Sequence, residues 1–104
     1  MADSDGKNQG ASSNRPIMVL LDLLGRKQTL RILWELRDSE LTFRKLQEAC
    51  GDISPSVLNQ RLSELRESNI VEHEKSIGYK LSVQGKSLIR CFAPLNAWAK
   101  NWRA

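Results

Sequence analysis

The stretch ISPSVLNQRLSELRESNIVEHEKSIGY, Ile53–Tyr79, decides how the rest of the chain is read. Ser54 stands where a helix N-cap belongs, and Pro55 takes the first helical position, where its missing N–H costs nothing. Leu58, Leu62 and Leu65 recur at helical spacing, so a helix from Pro55 to about Glu67 buries one face. The opposite face carries Ser56, Gln60 and Ser63, with Asn59 on its flank. These are hydroxyls and amides of the kind that bond to base edges. Ser68-Asn69 closes the helix. Ile70–Lys75 and Tyr79–Val83 read as two short strands joined by Ser76-Ile77-Gly78, a three-residue loop with Gly78 left-handed. Centred on Ile77, the hairpin pairs Val71 with Val83, His73 with Leu81 and Lys75 with Tyr79. Glu74 then faces Lys80, a favourable cross-strand pair.

Working outward, residues 1–14 are Asp-, Ser-, Asn- and Gly-rich without an apolar period, and are expected to form a disordered arm before a single domain over 15–104. Pro16 opens a first helix with the stripe Ile17, Leu20, Leu21 and Leu24, ended by Gly25. A second helix is predicted from about Arg26 to Arg37. Leu30, Ile32, Leu33 and Trp34 give it so wide an apolar face that it should sit centrally. Thr42 caps a third helix reaching about Ala49, with Phe43 and Leu46 inward, and Cys50-Gly51-Asp52 makes a stop and a tight turn. After the hairpin a final helix is predicted from near Gln84 to about Trp102, kinked or split by Pro94. The class is therefore mainly α with a small β-hairpin wing, the part order of a winged helix-turn-helix.

Composition bounds the function. With 104 residues and 40% apolar content, the chain supports one modest core. Domains of this size are marginal alone, so dimerisation is a reasonable expectation. No apolar run reaches membrane-span length and the N-terminus is polar rather than a signal peptide. Cys50 and Cys91 lie far apart with no His at metal-ligand spacing, which fits a reduced, cytoplasmic protein without metal or cofactor. The net charge is +4 and the pI about 9.4. Lys86, Arg90, Lys100 and Arg103 carry the excess, with no acid after Gln84; upstream, basic residues only equal the 12 acidic ones. A basic balance suits nucleic acid, but the region around the hairpin is nearly neutral.

Several segments together carry a resemblance. Leu24-Gly25-Arg26-Lys27, Ile32-Leu33-Trp34-Glu35-Leu36, Phe43-Arg44-Lys45-Leu46, Ile53-Ser54-Pro55-Ser56-Val57-Leu58-Asn59-Gln60-Arg61-Leu62 and Tyr79-Lys80-Leu81-Ser82-Val83-Gln84-Gly85-Lys86 resemble the HxlR family of bacterial and archaeal transcriptional regulators, over roughly Pro16 to Trp98. The likeness to MarR- and ArsR-type winged helices is looser. The ISPxVLxQRL segment is the most specific piece. The resemblance implies a homodimer on a near-palindromic operator in double-stranded DNA, with the dimer interface built from the first and last helices. Three departures stand out. Arg15-Pro16 replaces the family's Cys-Pro, so sensing through that cysteine has no support here. Gln28 stands where the family has tryptophan. The wing, Glu72–Leu81, is compact and should contact less DNA.

In a helix-turn-helix the second helix enters the major groove, and here that helix starts at Pro55. Asn59 and Gln60 each suit bidentate bonding to adenine. Arg61, nearer the core edge, should grip phosphate or an acidic neighbour. Thr42, with Arg44 and Lys45, suits a phosphate held by backbone N–H groups and charge, or else Thr42 is only a cap and the two cations are solvated. Lys75, Tyr79 and Lys80 flank the hairpin tip, against the repulsion of Glu72 and Glu74. The expected DNA-facing set is thus Thr42, Arg44, Lys45, Ser54, Ser56, Asn59, Gln60, Arg61, Ser63, Lys75, Tyr79 and Lys80.

The last helix carries Leu88, Phe92, Leu95, Ala99 and Trp102 along a stripe, with Cys91 and Trp98 adjoining. Part of it should pair with the same helix and with Ile17, Leu20, Leu21 and Leu24 of a second subunit, unless it folds back on its own core. His73 is expected to face Leu81 in a partly buried structural role. No acid/base constellation, phosphate loop or nucleotide fingerprint is present, so an enzyme is not expected. The competing function is a protein-interaction module that keeps the fold without binding DNA. The operator, the sign of regulation and any small-molecule effector are not encoded legibly.

Overall fold

A computed structural model of the chain describes residues 15–104. The expected disordered arm, 1–14, lies outside the described residues. The described residues fall into two compact units, one ending at Leu30 and the other spanning Arg31–Ala104. The elements in order are α1 (Pro16–Leu24), α2 (Thr29–Glu35), α3 (Phe43–Ala49), α4 (Pro55–Glu67), β1 (Val71–Glu74), β2 (Gly78–Leu81), α5 (Val83–Arg90) and α6 (Ala93–Trp102). A mainly helical chain with one antiparallel hairpin is the architecture expected.

In the first unit, α1 opens on Pro16 and stops at Gly25, whose N–H reaches the Leu21 carbonyl at 2.9 Å. The second helix does not start at Arg26. A turn intervenes, in which the Thr29 N–H bonds the Arg26 carbonyl at 3.1 Å and Gln28 sits at φ 71°. A non-glycine residue at positive φ interrupts the helical path, so α2 begins at Thr29. Its apolar face is narrower than expected: Ile32 and Leu33 are fully buried, Trp34 is half-buried and Leu30 is exposed.

The second unit is built on Ile32, Leu33, Leu36, Leu46, Leu58, Leu62, Leu65, Val71 and Leu81. Thr42 caps α3 by accepting the Lys45 N–H at 3.2 Å, and Ser54 caps α4 by accepting the Val57 N–H at 3.2 Å. Between them the Gln47 side-chain amide donates to the Ile53 carbonyl at 2.8 Å and fixes the turn. The bounds of α4 match the sequence reading because cap, proline and leucine period all agree.

The hairpin register differs from the expected one. Val71 pairs with Leu81, Glu72 with Lys80, His73 with Tyr79 and Glu74 with Gly78. An isolated bridge from upstream accompanies this register. Leu41 forms a bridge with Tyr79, exchanging N–H···O bonds of 2.9 and 2.8 Å. This brings the Leu41 carbonyl against Gly78, where a Cβ would clash, and Gly78 adopts φ 130°. The glycine therefore opens β2 instead of closing the loop. Val83 leaves the sheet and starts α5, because Ser82 acts as the cap, accepting the Gly85 N–H at 3.0 Å. The Ser82 hydroxyl in turn lies 2.6 Å from the Asn69 carbonyl and 3.1 Å from that of Ile70. Gly85 packs on the Ile70 carbonyl with no room for a side chain. The last helix is split, as Pro94 foretells: α5 ends at Arg90, and α6 starts at Ala93 with the proline in its first turn.

Candidate nucleic-acid interface

Because Leu58, Leu62 and Leu65 point into the core, α4 turns Ser56, Asn59, Gln60 and Ser63 outward, and all four are exposed. Ser54 is committed as a cap and lies 3.4 Å from the Ser56 hydroxyl. Gln60 is not free in solvent: its Nε2 donates to Glu64 Oε2 at 2.9 Å. Arg61 takes the acidic neighbour, with Nη1 at 2.8 Å from both Glu64 oxygens. That pair is mostly covered, at 19% and 16% side-chain exposure. Arg44 reaches Glu48 at 3.4 Å on the open face of α3, an exposed pair that contributes little.

The hairpin stands beside α4. A concavity of about 460 Å³ between them is lined by Thr42, Phe43, Asn59, His73, Ser76, Ile77 and Gly78, with Lys75 and Tyr79. It gathers four of the expected contact residues: Thr42, Asn59, Lys75 and Tyr79. Tyr79 contributes a wall, since its ring is buried and tilts against Phe43 with centroids 6.5 Å apart. Lys80 is not in this group. Strand alternation places it on the other side of the hairpin, with Nζ 3.9 Å from Glu40, 4.0 Å from Glu72 and 3.8 Å from Glu74.

His73 corrects the sequence reading. It does not face Leu81 from a partly buried position. Its ring is exposed and stacks on Tyr79, 4.1 Å between centroids and 6° from parallel. The two-residue period of the strands already puts His73 and Tyr79 on one side, and that signal could have added His73 to the candidate set.

At the C-terminus Leu95, Trp98 and Trp102 are 62%, 59% and 64% exposed. The two tryptophan rings stack at 5.5 Å. Leu88 and Phe92 are half-buried, and Phe92, Leu95, Asn96 and Ala99 form a groove of about 300 Å³ with Trp34. The stripe thus folds back only along one edge. In α1, Ile17 and Leu21 are exposed while Leu20 and Leu24 are half-buried. Cys50 is buried, and burial pushes its thiol pKa up, helped by Glu35 and opposed by Arg31; Cys91 is exposed. Among the described residues no His, Cys, Asp and Glu converge as a metal site, and no helix is long and apolar enough to cross a membrane.

Comparison with known proteins gives a consistent result. Residues 23–104 match the model of the HxlR-like helix-turn-helix family. The HTH-type transcriptional regulator YodB of Bacillus subtilis is 31% identical over 83 residues, 74% of each chain. An uncharacterised HTH-type transcriptional regulator of Methanocaldococcus jannaschii is 26% identical over 91 residues, 83% of this chain and 84% of its own. Among solved structures, quinone-bound YodB superposes with a TM-score of 0.75 at 32% identity, covering 84% of this chain and 98% of that one. A possible HxlR-family transcription factor of Thermoplasma volcanium gives a TM-score of 0.75 at 25% identity, covering 86% and 85%. These relatives are described as transcriptional regulators. With more than half of its residues matched, the chain belongs to the HxlR-like helix-turn-helix family of DNA-binding transcriptional regulators.

Proposed function

We propose that the protein acts in the cytoplasm as a homodimer on a near-palindromic operator, with α4 of each subunit in the major groove. The observation that carries this reading is the division of α4 into a buried leucine face and an exposed face of Ser56, Asn59, Gln60 and Ser63. Two such helices would enter successive grooves about 34–36 Å apart. Ser56, Asn59, Gln60 and Ser63 meet base edges. The N-terminal turn of α3, with Thr42, Arg44 and Lys45, and the hairpin tip, with Lys75 and His73, meet the flanking phosphates. Arg61 and Lys80 serve mainly to neutralise neighbouring carboxylates, Glu64 for the first and Glu40, Glu72 and Glu74 for the second. The exposed Ile17 and Leu21 of α1, and Leu95, Trp98 and Trp102 of α6, are the apolar surfaces a second copy would cover.

Selection of preferred duplexes from a random pool tests this reading, followed by binding at increasing salt. The expected result is a two-fold symmetric site whose affinity falls steeply with salt as counterions are released. Enrichment of no duplex, and no association at low salt, would overturn it. The three carboxylates around Lys80, Glu72 and Glu74 of the wing and Glu40 ahead of α3, would then favour the protein-interaction module instead.

A further inference from the structure

We infer that Glu64 is a positioning residue that restricts which base Gln60 accepts. The inference rests on the reading of α4 proposed above. A carboxylate only accepts hydrogen bonds, so the Gln60 atom 2.9 Å from Glu64 Oε2 is the amide nitrogen, and the orientation of that amide is fixed by chemistry. Glu64 is itself anchored, with both oxygens 2.8 Å from Arg61 Nη1 and its side chain mostly covered. The tether therefore starts at a held group and ends at an exposed one.

One of the two amide N–H groups of Gln60 is spent on Glu64. What remains for a ligand is one N–H and the carbonyl oxygen. Adenine offers N7 as an acceptor and its N6 amino group as a donor in the major groove, which matches that remainder. Guanine offers two acceptors, O6 and N7, and would need both N–H groups at once. The tether thus selects against guanine without Glu64 touching the base. It also lowers the rotamer freedom lost by Gln60 on binding, since the side chain is already ordered.

The test compares wild type, Glu64→Ala, Glu64→Gln and Gln60→Ala, with Glu64→Ala also placed in the Gln60→Ala background. Each is scored on selected duplexes carrying adenine or guanine at the position that Gln60 reads. Glu64→Ala should cut the adenine-over-guanine preference by about tenfold, the worth of one good base contact. It should raise affinity for every duplex by a common factor, because a negative charge is removed. Glu64→Gln keeps an acceptor and should retain the preference. In the Gln60→Ala background, Glu64→Ala should leave base preference unchanged. In the DNA-free protein, the Gln60 side-chain amide resonances should move toward their solvent-exposed positions in Glu64→Ala and much less in Glu64→Gln. Glu64→Met carries the same test if the alanine variant fails to fold.

Full preference retained in Glu64→Ala, with preference lost in Gln60→Ala, would overturn the inference and leave α4 as the reading helix. Unmoved Gln60 amide resonances in Glu64→Ala would also overturn it. If Gln60→Ala changed no base preference, both this inference and the base-contact assignment of Gln60 would fall.

Discussion

Gln60 and Asn59 are neighbours on one helix, yet the structure gives them different surroundings. Gln60 is tied back along α4 to Glu64, whereas Asn59 opens into the concavity under the hairpin. Gln60→Ala should therefore cost about 1–3 kcal/mol on a preferred duplex while sparing random DNA, as read by paired titrations. Equal losses on both would remove Gln60 from base readout. The two cysteines differ just as sharply. Cys50 is buried with its thiol held protonated, and Cys91 is exposed at the end of α5. The thiolate is the reactive form, so brief alkylation near neutral pH should label Cys91 and spare Cys50 until the protein unfolds, as judged by mass spectrometry of the peptides. At this scale the sequence supplied residue types but not the choice of partner. It allowed Arg61 a phosphate or an acidic neighbour; the three-residue spacing on α4 already puts Glu64 in reach, and the structure shows that Arg61 takes it.

Among the elements, α4 was legible end to end, because Ser54, Pro55 and the Leu58, Leu62, Leu65 period each point to the same helix. Leu62 is almost fully buried at its centre. Leu62→Ala should destabilise the domain by about 2–5 kcal/mol, through lost burial and the cavity left behind, measured by denaturant unfolding. Two elements were misplaced for physical reasons. Gln28 adopts a left-handed conformation without any glycine to announce it, so α2 starts later than the apolar pattern suggests. The hairpin register is accompanied by a bridge from Leu41, a residue far upstream whose backbone pairs with Tyr79. Local turn chemistry centred on Ile77 had no access to that contact. The same contact hides half of the candidate site, since the meeting of Thr42 and Asn59 with His73 follows from it.

For the whole molecule, the exposed apolar surface of α6 is the feature on which the proposed dimer rests. Exposed Leu95, Trp98 and Trp102 are costly to leave in water on so small a domain. Trp98→Glu should weaken or abolish the dimer in sedimentation, and should lower operator affinity more than affinity for a single half-site. A variant that still sediments as a stable dimer would assign Trp98 to the subunit's own surface. One further consequence comes from the backbone bridge between Leu41 and Tyr79. It rivets the hairpin to the entrance of α3, so on the proposed reading of α4 the helix and the hairpin would act as a fixed calliper on DNA. A duplex that does not match the calliper's gap must itself narrow or bend, and sequences that deform cheaply gain affinity at positions the protein never touches.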